Sequence, residues 1–424
     1  MLTLRLPGDK SISHRALLFA ALGAGRSVVR GALDAADVRA TAGVLRALSV
    51  GVPAVDAGAL VIEGVGLRGL RPPHAPLACG NSGTTARLVT GLLAGAGLDA
   101  TLVGDASLSA RPMRRVADPL VAMGATVDLP AHGGLPMRVR GVGDGVRDGA
   151  RLRGLTWHAV VPSAQVKSAI LLAGLVADVP VEVHEPLATR DHTERMLRAR
   201  GVDVLADGGV VALRPTGRLD AGETAVPGDA SSAAFLVGAA ALGLTPELAL
   251  DAVGINPGRI GAFQALRRMG ASVRFEAIHE SGGEPVATIV TRRGTLRGIT
   301  VAPEEVPRLI DELPLLACVA ARAEGETRVT GAAELRVKES DRIRLVVENL
   351  RAVGAEVEEL PDGFVVRGGD RPLRGRVRTA GDHRIAMAFG VLAAEPGNAI
   401  EIDDPSCVDV SWPTFWDALA HVCR

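Results

Sequence analysis

The chain has 424 residues, 47% of them hydrophobic and 22% charged, with a formal net charge of −1. That is enough apolar material for large cores and two domains, and too little net charge for a nucleic-acid or anionic-membrane partner. Aromatic residues make up 2% of the chain and tyrosine is absent, which excludes stacking platforms for single strands, and no apolar run reaches the length of a membrane span.

The first stretch, PGDKSISHRALLFAAL from Pro7, is a loop feeding a helix: Pro-Gly, then small polar residues, then apolar residues at helical spacing. Helix N-termini offer unpaired N–H groups and the positive end of the macrodipole. Lys10, Ser11 and Arg15 add two cations and a hydroxyl at that end, Ser11 and Arg15 one helical turn apart and so on one face. Two readings stand, an anion site and an ordinary capped surface helix. The unit recurs as CGNSGTTARLVTGLLAG, PSAQVKSAILLAGL, PGDASSAAFLVGAAAL, RLIDELPLLACVAA and AGDHRIAMAFGVLAA, six degenerate copies about seventy residues apart. Interleaved phrases end a helix at Gly51, Gly124, Gly201, Gly270 or Gly354 and enter a strand. Each copy is long enough for a strand–helix–strand unit, and the Ala-rich helices, apolar on most faces, are expected to lie buried against sheets.

In chain order, residues 24–78 carry a helix over 37–48 and a strand over 60–63. Gly64-Val65-Gly66-Leu67-Arg68-Gly69 matches G-x-G-x-x-G, but Arg71-Pro72-Pro73 forbids the helix a dinucleotide site needs, and the motif is rejected. Asn81, Ser82, Gly83, Thr84 and Thr85 crowd the mouth of the second copy, with Arg87 on its first turns; a glycine there lets a ligand approach the backbone. Arg111, fixed in extended geometry before Pro112, projects either from a defined loop or from the open surface. Ser163 and Gln165 open the third copy, Arg190 follows in TRDHT, and residues 205–226, rich in Gly, Pro, Thr and Asp, are expected to connect the two halves. Asp229 reads as an N-cap.

The last third is the most charged. Asp311 lies between Leu309-Ile310 and Leu313, an apolar setting in which a carboxylate is costly unless paired or functional. Residues 336–344 carry six ionisable groups in nine positions, either a salt-bridged exposed face or a site. Asp382-His383-Arg384 opens the sixth copy. Arg111, Arg342 and Arg384 together suit a small molecule bearing carboxylate and phosphate, since the guanidinium fork matches both. Cys79, Cys318, Cys407 and Cys423 are far apart with no C-x-x-C pair, and the nine histidines show no metal-ligand spacing. Residues 1–6 lead into the first motif without a signal peptide. Reduced thiols, no metal and a cytoplasmic protein are the expectation.

PGDKSISHR, GNSGTTAR, SARPM, PSAQVKSA, GDASSAAF, RVKESDRI and GDHRIAM, in that order and from end to end, resemble the enolpyruvyl transferases, and among them the branch that acts on shikimate 3-phosphate. The resemblance implies an α/β (α+β) fold of two domains, each of three β-α-β-α-β-β repeats, an inside-out α/β barrel. The first domain would join residues 1–8 to 227–424, the second would span 9–226, and the active site would lie in the cleft between them. It implies transfer of the enolpyruvyl group of phosphoenolpyruvate to the 5-hydroxyl of shikimate 3-phosphate, by addition and elimination through a tetrahedral intermediate. The branch needs no cofactor; its partners are these two small molecules, with no nucleic acid or membrane, and the chain would act as a monomer.

By the same resemblance Glu339 is the proton-transfer carboxylate, Lys10 its partner near the phosphoenolpyruvate phosphate, and Asp311 the group that holds and helps deprotonate the acceptor hydroxyl. Which carboxylate moves which proton stays open. Lys10, Gly83, Arg111, Gln165, Arg342 and Arg384 would bind phosphoenolpyruvate; Lys10, Ser11, Arg15, Ser163, Gln165, Arg190, Asp311 and Lys338 would bind shikimate 3-phosphate. Ala164, Val410, Leu88 and Glu334 depart from the family pattern, which usually has serine, lysine, proline and asparagine there, and imply rebalanced ligand contacts. Gly83 leaves room for the family's inhibitor glyphosate. Two rival readings differ at identifiable positions. A sister transferase acting on UDP-N-acetylglucosamine would carry a cysteine in the loop at 107–113, which has none, and Lys-Asn where this chain has Lys10-Ser11. A non-catalytic anion-binding relative would have no need of the two carboxylates.

Overall fold

A computed structural model describes residues 2–56, 58–141 and 152–423. The chain forms two compact units: an N-terminal unit of Gly8–Val226 with Ser281–Glu284, and a C-terminal unit of Met1–Pro7, Pro227–Glu280 and Pro285–Arg424.

The N-terminal unit holds α1 (Lys10–Leu22), α2 (Ala36–Ala47), α3 (Gly83–Ala96), α4 (Ala106–Ala110), α5 (Arg114–Met123), α6 (Ala164–Ala177) and α7 (His192–Arg198). The C-terminal unit holds α8 (Ala230–Leu242), α9 (Gly261–Met269), α10 (Leu313–Ala320), α11 (Arg342–Ala352), α12 (His383–Ala393) and α13 (Phe415–Val422). Among the described residues six small sheets accompany them. The complete unit is seen in Leu77–Ala78, α3, Asp99–Val103, α5, Thr126–Asp128 and Met137–Arg140: the first two strands pair parallel and the hairpin closes antiparallel on the second. The same β-α-β-α-β-β order recurs around α6, α8 and α10, giving four complete four-stranded sheets. Two copies are abbreviated, one with three strands around α1 and one with two around α12, where α13 follows the second strand.

Two strands are borrowed from distant sequence. Leu2–Arg5 pairs in parallel with the strand Leu248–Gly254 of the C-terminal unit, and Glu223–Ala225 with Ala24–Arg30 of the N-terminal unit. Residues 205–226, expected as a connection, are instead largely structural. Val210–Arg214 is an inner strand of its sheet, turned back at Gly208-Gly209 (both φ positive) against Asp203–Asp207. The glycine-rich turn masked an alternating strand whose inward residues, Val211 and Leu213, are core. The stretch 64–69 leads from the strand Ala59–Val65 into turns, with no helix after it.

Side-chain caps explain most helix starts. Asp9, Ser82, Ser163, Asp229, Asp341 and Asp382 each accept hydrogen bonds from first-turn amides of α1, α3, α6, α8, α11 and α12. The Ala-rich helices are interior: every residue of α8 and α10 is buried, whereas α9 buries Phe263, Leu266 and Met269 and turns Arg267 and Arg268 outward. These helices pack on one another as well as on sheets. A Cβ placed on Gly91 of α3 would stand 2.1 Å from the carbonyl oxygen of Ala169 on α6, so only glycine permits that approach. Among the described residues no helix is long and apolar enough to cross a membrane.

Candidate active site

In the N-terminal unit three helix mouths carry the predicted residues. At α1, Asp9 caps Ile12 N at 2.9 Å, and Lys10 Nζ lies 3.1 Å from Asp37 Oδ2 with both side chains mostly covered. Ser11 is half-buried. Arg15 does not share an outward face with it. Its guanidinium turns inward, Nε donating to Thr193 Oγ1 at 2.7 Å, Nη2 to Ser168 Oγ at 2.7 Å and Nη1 to the Ser11 carbonyl at 2.9 Å. Burial is the main cause that pushes this arginine down to about 10, against the opposing pull of Glu194, Asp9 and Glu284; Arg190, half-buried in the loop before α7, acts in the same direction as burial. Arg15 thus braces α1 against α6 and α7.

At α3, Ser82 caps Thr85 N at 3.1 Å and leaves Gly83 as the first helical residue. Arg111, extended before proline (φ −75°, ψ 142°), is buried and donates to Asn81 Oδ1 at 2.5 Å, so it is a fixed loop residue and not a surface one. Asn81 is held in turn by Asp105 at 2.6 Å. Arg87 reaches across to Gln165 Oε1 at 2.7 Å, and Gln165 Nε2 donates to Thr84 Oγ1 at 2.9 Å. Gln165 follows Ser163, the cap of α6, so the second and third mouths are linked through side chains. A buried chain links the first two: His14 Nδ1 and Thr41 Oγ1 at 2.7 Å, Thr41 and Thr85 at 2.7 Å, Thr85 and Ser82 at 2.8 Å. Burial, with the charges of Lys10 and Arg15, holds His14 well below its usual range and therefore neutral.

In the C-terminal unit the hub is Arg342, at 1% exposure one of the largest fully buried side chains. Its Nε lies 2.8 Å from Asp382 Oδ2, Nη2 2.7 Å from Glu339 Oε2 and Nη1 3.2 Å from Asp311 Oδ1. Burial alone would lower this guanidinium, but the three carboxylates outweigh it and hold it above the usual arginine value. Asp382 also caps Arg384 N at 2.9 Å and accepts from Ser340 Oγ at 2.8 Å. Lys338 Nζ stands 3.7 Å from Asp311 and 3.8 Å from Glu334.

The charge run 336–344 therefore divides. Arg336 pairs with Asp341 and Glu359, and Arg344 with Glu348, in partly exposed contacts; Lys338, Glu339 and Arg342 turn toward the hub. Asp311 is not the buried carboxylate that its apolar neighbours suggested. Its side chain is 15% exposed beside Arg342, and the following residue, Glu312, is the one that is buried. Two adjacent acids on a tight 3₁₀ turn point in different directions, a split that apolar flanks cannot reveal.

Sequence reasoning passed over Asp37, Glu312 and the buried ion triad of Lys167 with Glu185 and Glu194, at 2.6 and 2.7 Å. An acid in the first turn of α2 was legible only as a helix-dipole complement, and Lys167 sits in an apolar helix with partners that lie in a later loop and helix. All four cysteines are free, and among the described residues no group of three His, Cys, Asp or Glu side chains could hold a metal ion. The two sets of groups, capped helix mouths with fixed arginines and a carboxylate–arginine hub, suit polyanionic ligands and proton transfer.

The EPSP synthase family, 3-phosphoshikimate 1-carboxyvinyltransferase, matches residues 2–419. The chain is 48% identical to the 3-phosphoshikimate 1-carboxyvinyltransferase of Alkalilimnicola ehrlichii over 97% of its own length and 91% of that protein, and 47% identical to that of Xanthomonas campestris over 99% and 94%. Among solved structures, an EPSP synthase from Acinetobacter baumannii superposes with a TM-score of 0.84 at 42% identity, covering 99% of this chain and 94% of the other. The enolpyruvyl transferase NikO from Streptomyces tendae shares the fold, with a TM-score of 0.75 at 17% identity over 100% of this chain and 94% of the other. The chain belongs to the EPSP synthase (3-phosphoshikimate 1-carboxyvinyltransferase) family.

Proposed function

We propose that this chain transfers the enolpyruvyl group of phosphoenolpyruvate to the 5-hydroxyl of shikimate 3-phosphate and releases inorganic phosphate, a step of aromatic amino acid biosynthesis. The observation that carries the residue-level reading is Arg342, a single buried guanidinium that holds both Asp311 and Glu339. The acceptor oxygen bonds to C2 of phosphoenolpyruvate, its proton passing to a base, while a proton is delivered to C3 and makes a methyl group. Loss of a methyl proton and of the phosphate then restores the double bond. Glu339 serves C3 with Lys10 as its partner, and Asp311 serves the acceptor hydroxyl. Arg111, Arg342 and Arg384, with Lys10, Gly83 and Gln165, take the carboxylate and phosphate of phosphoenolpyruvate. Ser11, Arg15, Ser163, Gln165, Arg190 and Lys338, with Lys10 and Asp311, take shikimate 3-phosphate. On the same reading the enzyme is a cytoplasmic monomer.

The test is phosphate release from phosphoenolpyruvate with shikimate 3-phosphate or UDP-N-acetylglucosamine as separate acceptors. Release that requires shikimate 3-phosphate is expected. Release only with the nucleotide sugar supports the sister reaction, and release with neither leaves an anion-binding protein.

Gly83→Ala probes the pocket. A Cβ there would stand 2.7 Å from Arg87 Nη1 and 3.3 Å from Arg111 Nη1, so both arginine tips must shift, and Arg87 would loosen its hold on Gln165. We expect inhibition by glyphosate to weaken at least about tenfold, with KM for phosphoenolpyruvate raised less. An unchanged inhibition curve would remove Gly83 from the pocket.

A further inference from the structure

Asp311 and Glu312 are adjacent, yet each serves a different arginine. Glu312 is 2% exposed, and its Oε1 lies 3.6 Å from Arg384 Nη1. The hydroxyl of Ser231, on the first turn of α8, donates to that same oxygen. The direction of that bond is fixed from behind: Arg259 Nη2 donates to Ser231 Oγ at 2.9 Å, so the serine proton must point away from Arg259, toward Glu312. Arg259 is itself held by Asp229 at 3.0 Å, the residue that caps α8. The other side of Arg384 faces the ring of Phe235, its guanidinium carbon 5.8 Å from the centroid. Two arginines and two carboxylates, all at most 8% exposed, form one neutral buried set around Ser231.

From this geometry we infer that Glu312 is the positioning residue of Arg384, fixing the azimuth of its guanidinium so that the remaining N–H donors meet phosphoenolpyruvate. The inference rests on the phosphoenolpyruvate role proposed above for Arg384. Glu312 touches no substrate; it acts by restricting rotamers of a long side chain that would otherwise lose entropy on binding. The tandem Asp311-Glu312 thus divides labour on one 3₁₀ turn, the first acid facing Arg342 and the second Arg384.

The experiment is steady-state kinetics of Glu312→Gln with both substrates varied. KM for phosphoenolpyruvate should rise about tenfold, the worth of one charge-assisted contact, while KM for shikimate 3-phosphate stays within about twofold. In an Arg384→Lys background the same substitution should add less than about twofold, because an ammonium has no planar fork for Glu312 to orient. A rise in both KM values together, or a full effect in the Arg384→Lys background, would overturn the assignment. If Glu312→Gln does not fold, Glu312→Asp keeps the charge one methylene short and should raise only the phosphoenolpyruvate KM; equal effects on both substrates would again overturn it. A readout free of turnover separates this inference from the functional one. The Nε–Hε resonance of Arg384, identified by its loss in Arg384→Lys, should move in Glu312→Gln or Glu312→Asp. An unmoved resonance overturns the positioning role, whereas a parent chain that releases no phosphate with shikimate 3-phosphate overturns only the functional reading.

Discussion

Glu339→Gln is expected to fold normally and to release phosphate about a thousandfold more slowly than the parent chain, within the range that general acid–base groups contribute. The substitution is close to isosteric, and the side-chain oxygen of glutamine can still accept from Arg342 Nη2, now 2.7 Å from Glu339. The side chain is 23% exposed, so its neutralisation leaves no buried group unsatisfied and stability should change by less than about 1 kcal/mol. What disappears is the proton that the carboxyl group can give and take. Measurement is by single-turnover phosphate release with shikimate 3-phosphate, with thermal unfolding as the control for folding. Retention of more than about a tenth of the parent rate would move the C3 proton to another group.

Arg342→Met acts on stability as much as on rate. It leaves Asp382, fully buried, and its neighbours Asp311 and Glu339 facing one another without the shared cation. Removing one partner of a buried pair costs about 3–5 kcal/mol, which in a domain of this size lowers Tm by roughly ten degrees. Activity should be lost at temperatures where the chain is still folded, since both assigned carboxylates lose their anchor. Arg342→Lys rescues only in part: a single ammonium cannot span three carboxylates that the planar fork meets with three nitrogens. Adding Asp382→Asn to Arg342→Met should recover part of the lost Tm by removing the buried like charge. A Tm within about two degrees of the parent chain for Arg342→Met would show that the hub is not structurally required.

How far the sequence could be read follows from the range of the interaction. Helix starts at Asp9, Ser82, Ser163 and Asp229 are settled within three residues by a cap, and the motifs there name them directly. The polar turn that opens each Ala-rich helix was legible as a sixfold rhythm, whereas the strand pairing within each copy was not, and two copies are abbreviated. Direction was not legible. Arg15 turns inward because Ser168 and Thr193, more than 150 residues away, supply its acceptors, and no local pattern encodes that. The sequence suits Arg342 to a clamp, but its dependence on Asp382, 40 residues on, emerges only from packing. The misread segment 205–226 failed for the opposite reason: glycine-rich turns dominate its composition, although Leu213 and Leu219 are each only 1% exposed.

The borrowed strands also dictate an order of assembly during synthesis. Arg5 meets Asp251 across 246 residues of chain, so the strand Leu2–Arg5 has no partner until that stretch has followed it from the ribosome. At elongation rates of about 5–20 residues per second that wait lasts roughly tens of seconds. The N-terminal unit, by contrast, has nearly all its sequence once Glu223–Ala225 has emerged to pair with Val28–Arg30. The nascent chain therefore folds from the inside outward, carrying a short apolar strand that no neighbour yet protects, and Arg5, 82% exposed in its side chain, together with the brevity of the strand, limits what else could pair with it meanwhile.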